Sequence, residues 1–155
     1  MSLALKYKRA GAFIIDMSIV QMFALVAKEI YLGVLSLTSQ GVGFQFSLND
    51  DLALPMLLLM MIGIMLIVIG VYMGYHALCY KLLGNSLSRY FLSLQVVSVH
   101  ERELDKKHYL KREFDKIYLT VATLGLYALY AGAQYLTHSN PPWHDKKYQT
   151  QVVQS

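Results

Sequence analysis

Charge is what this sequence has least of. Of its 155 residues only 15% are charged, against 55% hydrophobic, and the mean hydropathy is +0.39. Average soluble domains carry about 25% charged residues, so too little charge is present to cover a soluble surface. From Leu52 to Tyr80 there is none at all. A chain this small cannot bury such a run inside a soluble core. Cysteine is also nearly absent: Cys79 alone excludes an internal disulfide and with it a stapled secreted fold. Polar low-complexity sequence is missing too, which excludes disorder. There is no Gly-rich phosphate loop, nucleophile elbow or HExxH motif, so no enzyme chemistry is expected.

What is present is three apolar blocks. A helix needs about 20 apolar residues to cross a 30 Å hydrocarbon core, and spans are expected at about 10–36, 53–80 and 117–136. Short alternating strands are lacking, which leaves helices as the structures able to satisfy every backbone group in lipid. The expectation is an all-α membrane protein, residues 1–155 forming one domain. It is a bundle of about three transmembrane helices, with a charged cytoplasmic connection between the second and third. The third block carries Gly125 and Gly132 and has an alternative, a bend that returns it to the side it came from. Three full crossings are the preferred reading.

Lys and Arg set orientation, because they concentrate in cytoplasmic segments. Lys6, Lys8 and Arg9 precede the first block, the connection Thr38–Asp51 has neither residue, and Lys81–Lys116 holds eight. The amino terminus is therefore expected in the cytoplasm and the protein in the plasma (inner) membrane. The net charge of +4 reports topology; no nucleic-acid partner is expected. Beyond the lipid bilayer, the expected partners are a second copy of the chain or another membrane protein. Within the second connection, Tyr90–Val99 reads as a short strand or an interfacial segment. After it, Glu103 with Lys107 and Lys111 with Asp115 are expected on an exposed helix face. Leu110, Phe114, Ile117, Tyr118 and Val121 form the opposite stripe.

Against this background Asp16 stands out. An aspartate near a helix centre costs about 2.5–3.5 kcal/mol on insertion scales, so it must face protein or water. Arg9 lies seven residues before it, on the same face about 10 Å away. Asp16 is either an ion or proton site or a structural pin that bonds Gln21, Tyr72, Tyr75 or His76. Gly70 and Gly74 would let another helix approach closely, and Ala128 with Gly132 repeat that spacing. His76 and Cys79 share a face but lack a third ligand, so neither a metal site nor a cofactor is expected.

The amino-terminal KRAGAFIID, the segment YHALCYKLLGNSLSRYFLSLQVVSV and the tail HDKKYQTQVV together resemble the RDD family, small membrane modules named for one arginine and two aspartates. The resemblance covers nearly the whole chain. It places the arginine at Arg9 and the aspartates at Asp16 and Asp145, with Gly84, Ser86, Arg89, Leu94, Val96, His144, Thr150 and Val152 matching or conservatively replaced. Ser88, Ser93 and Gln149 stand where the family usually has glycine. It implies a multi-pass membrane protein taking part in transport of a small ion, with cation/proton exchange centred on Asp16 and tuned by Arg9 and Asp145. The alternative is a non-catalytic subunit that docks other membrane proteins through Gly70 and Gly74.

Overall fold

The computed structural model describes residues 3–41, 53–99, 104–136 and 141–154. The connection 42–52, and with it Asp50 and Asp51, lies outside the described residues, as do Glu103, His100 and His138. Two long helices come first, α1 (Leu3–Gly41) and α2 (Ala53–Leu83). Among the described residues, the apolar stretches Ala4–Leu37 and Leu57–Phe91 are the two long and apolar enough to cross a membrane. They run antiparallel: Tyr75 of α2 bonds Asp16 of α1, while the Tyr31 ring lies where a Cβ on Gly63 would clash with it. Their side chains reach outward as large apolar groups, including Phe23, Val26, Ile30, Leu58, Leu59, Ile62 and Leu66. In water such a surface would be unstable at about 25 cal/mol per Å²; lipid is its natural solvent.

Gly84, with φ +69°, ends α2 by adopting a backbone open to a residue without Cβ. A short helix α3 (Leu87–Phe91) and strand β1 (Leu94–Ser98) follow. Helix α4 (Lys106–Ala122) packs antiparallel on α2, with Tyr109 beside His76 and Ile117 beside Tyr72. Helix α5 (Leu126–Leu136) packs on α1, with Gly132 3.8 Å from Phe13 for a Cβ built there. A last short helix α6 (Trp143–Lys147) leads to strand β2 (Thr150–Gln154). The two strands pair antiparallel, with Val96 opposite Val152 and Leu94 opposite Gln154. Leu94, Val96 and Val152 point inward on Ala12 and Tyr109 as one apolar core; Val20, Tyr72 and Ile117 form a second.

Three expectations change. The third apolar block is not one helix: α4 stops at Ala122 and α5 starts at Leu126. Leu124 (φ +51°) and Gly125 (φ +92°) leave the helical region between them. The Gly125 amide donates to Thr120 O and the Leu124 amide to Val121 O. That is the paired bonding that closes a helix end in a Schellman motif. Residues 117–136 are thus two helices folded back on each other at a turn, not one continuous span-length helix. The protein is mostly helical but not purely so: within Tyr90–Val99, read as a short strand or an interfacial segment, Leu94–Ser98 forms strand β1, and the carboxyl tail pairs with it. Finally, Gly70 and Gly74 do not pack in this chain: a Cβ on either would meet nothing within 4 Å. The close contact between α1 and α2 falls instead at Gly63, under the Tyr31 ring, while Gly132 on α5 meets the Phe13 ring at ordinary contact distance.

Candidate functional site

Where α1, α2, α3 and α4 converge, an unusual number of charged side chains are buried: Asp16, Arg89, Arg112, Glu113, Lys116 and Asp145. Their helices dictate this. Tyr109, Arg112, Glu113, Lys116 and Ile117 recur at the three- and four-residue spacing of one helix face, and that face of α4 is the buried one. Phe114 and Tyr118 lie on the outer face and are exposed. Here α4 inverts the usual amphipathic arrangement, putting charge inward and apolar groups toward the solvent of the other helices, which is lipid. The expected stripe of Phe114, Ile117 and Tyr118 therefore does not lie on one buried side. Asp115 pairs with Lys147 and accepts from Tyr148 at 2.9 Å, not with Lys111.

Glu113 is the hub. Its Oε2 accepts from Tyr72 OH at 2.6 Å and from Lys116 Nζ at 3.3 Å, and its Oε1 accepts from Arg89 Nη1 at 3.1 Å and from Arg112 Nη1. His76 Nε2 stands 3.7 Å from the same carboxylate, while its Nδ1 is 3.1 Å from Tyr109 OH. Burial by itself would raise the pKa of Glu113; Lys116, Arg89, His76 and Arg112 outweigh it and hold the carboxyl well below the usual range.

Asp145 forms a second centre through Arg112, which bridges the two acids. Arg112 Nε donates to Asp145 Oδ1 at 2.6 Å and to Thr150 Oγ1 at 3.1 Å, and Thr150 Oγ1 donates to the same carboxylate oxygen at 3.0 Å. Tyr135 OH donates to Asp145 Oδ2 at 3.3 Å. Burial raises the Asp145 pKa and Arg112 more than reverses it, so the net shift is downward. His144 sits beside it with both ring nitrogens against tyrosine hydroxyls, Tyr127 at 2.7 Å and Tyr135 at 3.1 Å. Burial pushes its pKa down to about 3 against the pull of Asp145.

Asp16 forms the third centre. Its Oδ1 accepts from Tyr75 OH at 2.6 Å and from the Ser88 backbone amide at 3.4 Å. Asp16 thereby ties the first turn of α3 to α1 and bonds Tyr75, one of the four partners named from sequence for a structural pin. Gln21, by contrast, is exposed. Its other oxygen, Oδ2, is buried with no hydrogen-bond donor, and so are the hydroxyls of Ser86 and Ser88. The Ser86 side chain lies beside Asp16 without the alignment of a hydrogen bond.

The family's arginine and two aspartates thus separate into different pairs. Arg9 is half-buried and its attracting acid is Asp145, while the guanidinium that acts on Asp16 is Arg89. Arg9, Arg89, Leu94, Tyr135 and Val152 surround a void of about 10 Å³, room for one water. From sequence, Arg112 and Lys116 count only as topological charge and Glu113 is not singled out. The spacing of Tyr109, Arg112/Glu113 and Lys116 on a helix whose other face carries Phe114 and Tyr118 was the available signal. Cys79 is buried, and no group of three metal-ligating side chains is found among the described residues.

Two long apolar helices around a buried, ion-paired polar centre define a helical membrane protein. More narrowly, the chain belongs to the RDD family, whose model matches residues 3–147. No curated protein and no solved structure matches it.

Proposed function

We propose that the protein exchanges a small cation for a proton across the plasma membrane, with Asp16 as the group that carries each in turn. One observation supports this reading above others: Asp16 Oδ2 and the hydroxyls of Ser86 and Ser88 are buried without a well-formed hydrogen bond, and the Ser86 side chain and the Ser88 amide both reach Asp16. Leaving such atoms unpaired costs about 1–3 kcal/mol each. A set made only of oxygen donors suits a hard cation such as Na⁺ and not a soft transition metal. A bound cation or a proton on Asp16 each satisfies part of the set, the competition that exchange requires. Arg9 and Asp145 act from the next layer, setting the field through Arg89 and Arg112, and no enzymatic step is involved. The Lys and Arg distribution orients the amino terminus to the cytoplasm.

Beyond the turn at Leu124–Gly125, only α1 and α2 continue among the described elements, and two helices make no wall for a route. A second copy completes it, and the open Gly70–Gly74 face is where close helix approach is free. The purified protein in vesicles, with a pH-sensitive dye inside and a Na⁺ gradient across the membrane, tests the proposal. Wild type moves protons when the gradient is imposed, Asp16→Asn does not, and Gly74→Leu lowers both activity and crosslinked dimer. Equal proton movement by wild type and Asp16→Asn would sink it. The same open face favours the second reading, a subunit that docks other membrane proteins; crosslinking that yields a different partner in place of a second copy would select it.

A further inference from the structure

We infer that the α4–α5 hairpin is a re-entrant element. It enters the acyl-chain region of the bilayer from the side of the amino terminus, turns near the midplane and returns, so that Asp145 and the carboxyl tail lie on the amino-terminal side. Lengths decide first. The 11 residues of α5 rise only about 16 Å, half of the roughly 30 Å core. From Lys116, the last charged residue before the turn, to Thr123 the rise is about 10 Å. A straight helix would hold Tyr135 about 35 Å from Arg112. Instead both bond one carboxylate, Asp145. The chain has therefore come back to the level it left.

The turn is built for a place without water. Non-helical backbone within the hydrocarbon core must satisfy its polar groups internally. Every amide N–H from Thr123 to Leu129 has an acceptor within the hairpin: Leu119 O, Val121 O, Thr120 O, Thr123 O, Thr123 Oγ1 and, for Ala128 and Leu129, Gly125 O. The hydroxyls of Thr120 and Thr123 donate back to Lys116 O and Leu119 O. A turn at a water surface has no need of such closure. Its outward side chains match: Leu124 is 85% exposed, Leu129 73% and Leu126 68%. From Ile117 to Leu136 no residue is charged. The inward face, Tyr127, Ala131 and Tyr135, packs on the protein, so the exposed leucines have nothing to meet but acyl chains.

The return path fixes the sides. Strand β2 pairs with β1, which follows the carboxyl end of α2, and Val152 lines the same small void as Arg9 near the start of α1. Three single-cysteine variants of the full chain in a Cys79→Ser background test this. With a membrane-impermeant maleimide, Tyr7→Cys and Gln151→Cys label in the same vesicle orientation and both lose labelling in the opposite one. A spin label at Leu124→Cys is relaxed by dissolved oxygen and not by a water-soluble nickel chelate. Labelling of Gln151→Cys in the orientation that protects Tyr7→Cys would overturn the inference, as would relaxation at Leu124→Cys by the chelate.

Discussion

Three of the described residues hold left-handed backbone without being glycine: Ser93 (φ +53°), Leu124 (φ +51°) and Gln149 (φ +48°). The first and last stand where the RDD family usually has glycine, and the structure shows why glycine suits them. Ser93 turns the chain from α3 into β1, and Gln149 turns it from α6 into β2; both side chains are exposed. A residue with a Cβ is strained in this region by about 1 kcal/mol or more. Ser93→Gly and Gln149→Gly are each expected to stabilise the fold by about 0.5–1 kcal/mol, less the added chain entropy of glycine. A higher melting temperature in detergent is the measurement that checks it. Ser88 is different: its φ is ordinary, and its amide is committed to Asp16. At Glu113 one carboxylate faces Arg89, Arg112 and Lys116. Glu113→Ala removes the carboxylate from the buried Arg89 and Lys116 and leaves Arg112 with Asp145 alone, and is expected to cost about 3–5 kcal/mol. Its loss of folded protein on size-exclusion chromatography should far exceed that of Asp115→Ala, whose partner Lys147 is half-exposed.

Among the elements, α4 is the one whose meaning the sequence conceals. Alternating acids and bases four apart ordinarily mark a solvated face, because exposed pairs add a few tenths of a kcal/mol. Here the helix lies against α2, and Tyr72, His76 and Arg89 supply partners from other elements, so its charges turn inward. Lys111 and Asp115 carried the pattern, yet the residues between them carry the contacts. The hairpin rests on Gly125, whose φ of +92° suits a residue without Cβ. Gly125→Ala is expected to destabilise by about 1–3 kcal/mol, whereas Gly74→Ala, inside a helix with open space around it, is expected to leave the single chain unchanged or to stabilise it by up to about 1 kcal/mol. Parallel thermal melts of the two variants decide the point.

For the whole molecule, three buried groups tie stability to pH in the same direction. Glu113 and Asp145 have lowered pKa values when folded, so what they contribute is present above their ordinary range and is lost as pH falls through it. His144 is held at about 3 when folded against an ordinary 6.5. Between those values the unfolded chain binds a proton that the folded chain does not, and stability falls as pH falls. Each pH unit in that window costs about 1.4 kcal/mol. Melting temperature measured from pH 7 to pH 4 should drop steadily, and His144→Gln should flatten the upper part of the slope. An unchanged slope in that variant would remove His144 from the account.

Hydropathy is a sum along the chain, and the cost of unpaired backbone in lipid applies to any fold. So the sequence by itself determined the membrane class, the two long spans and the isolation of Asp16 in an apolar helix. The family motifs went further and marked Arg9, Asp16 and Asp145. Only the tertiary structure decided which acid meets which base. Coulomb energy inside a low-dielectric core changes by several kcal/mol over a few ångströms, and those ångströms are set by how α2, α3 and α4 pack. It also decided the course of the third apolar block. Twenty uncharged residues satisfy a hydropathy test whether they run straight or fold back, and the difference rests on two residues, Leu124 and Gly125, and on the carboxylate that draws Arg112 and Tyr135 together.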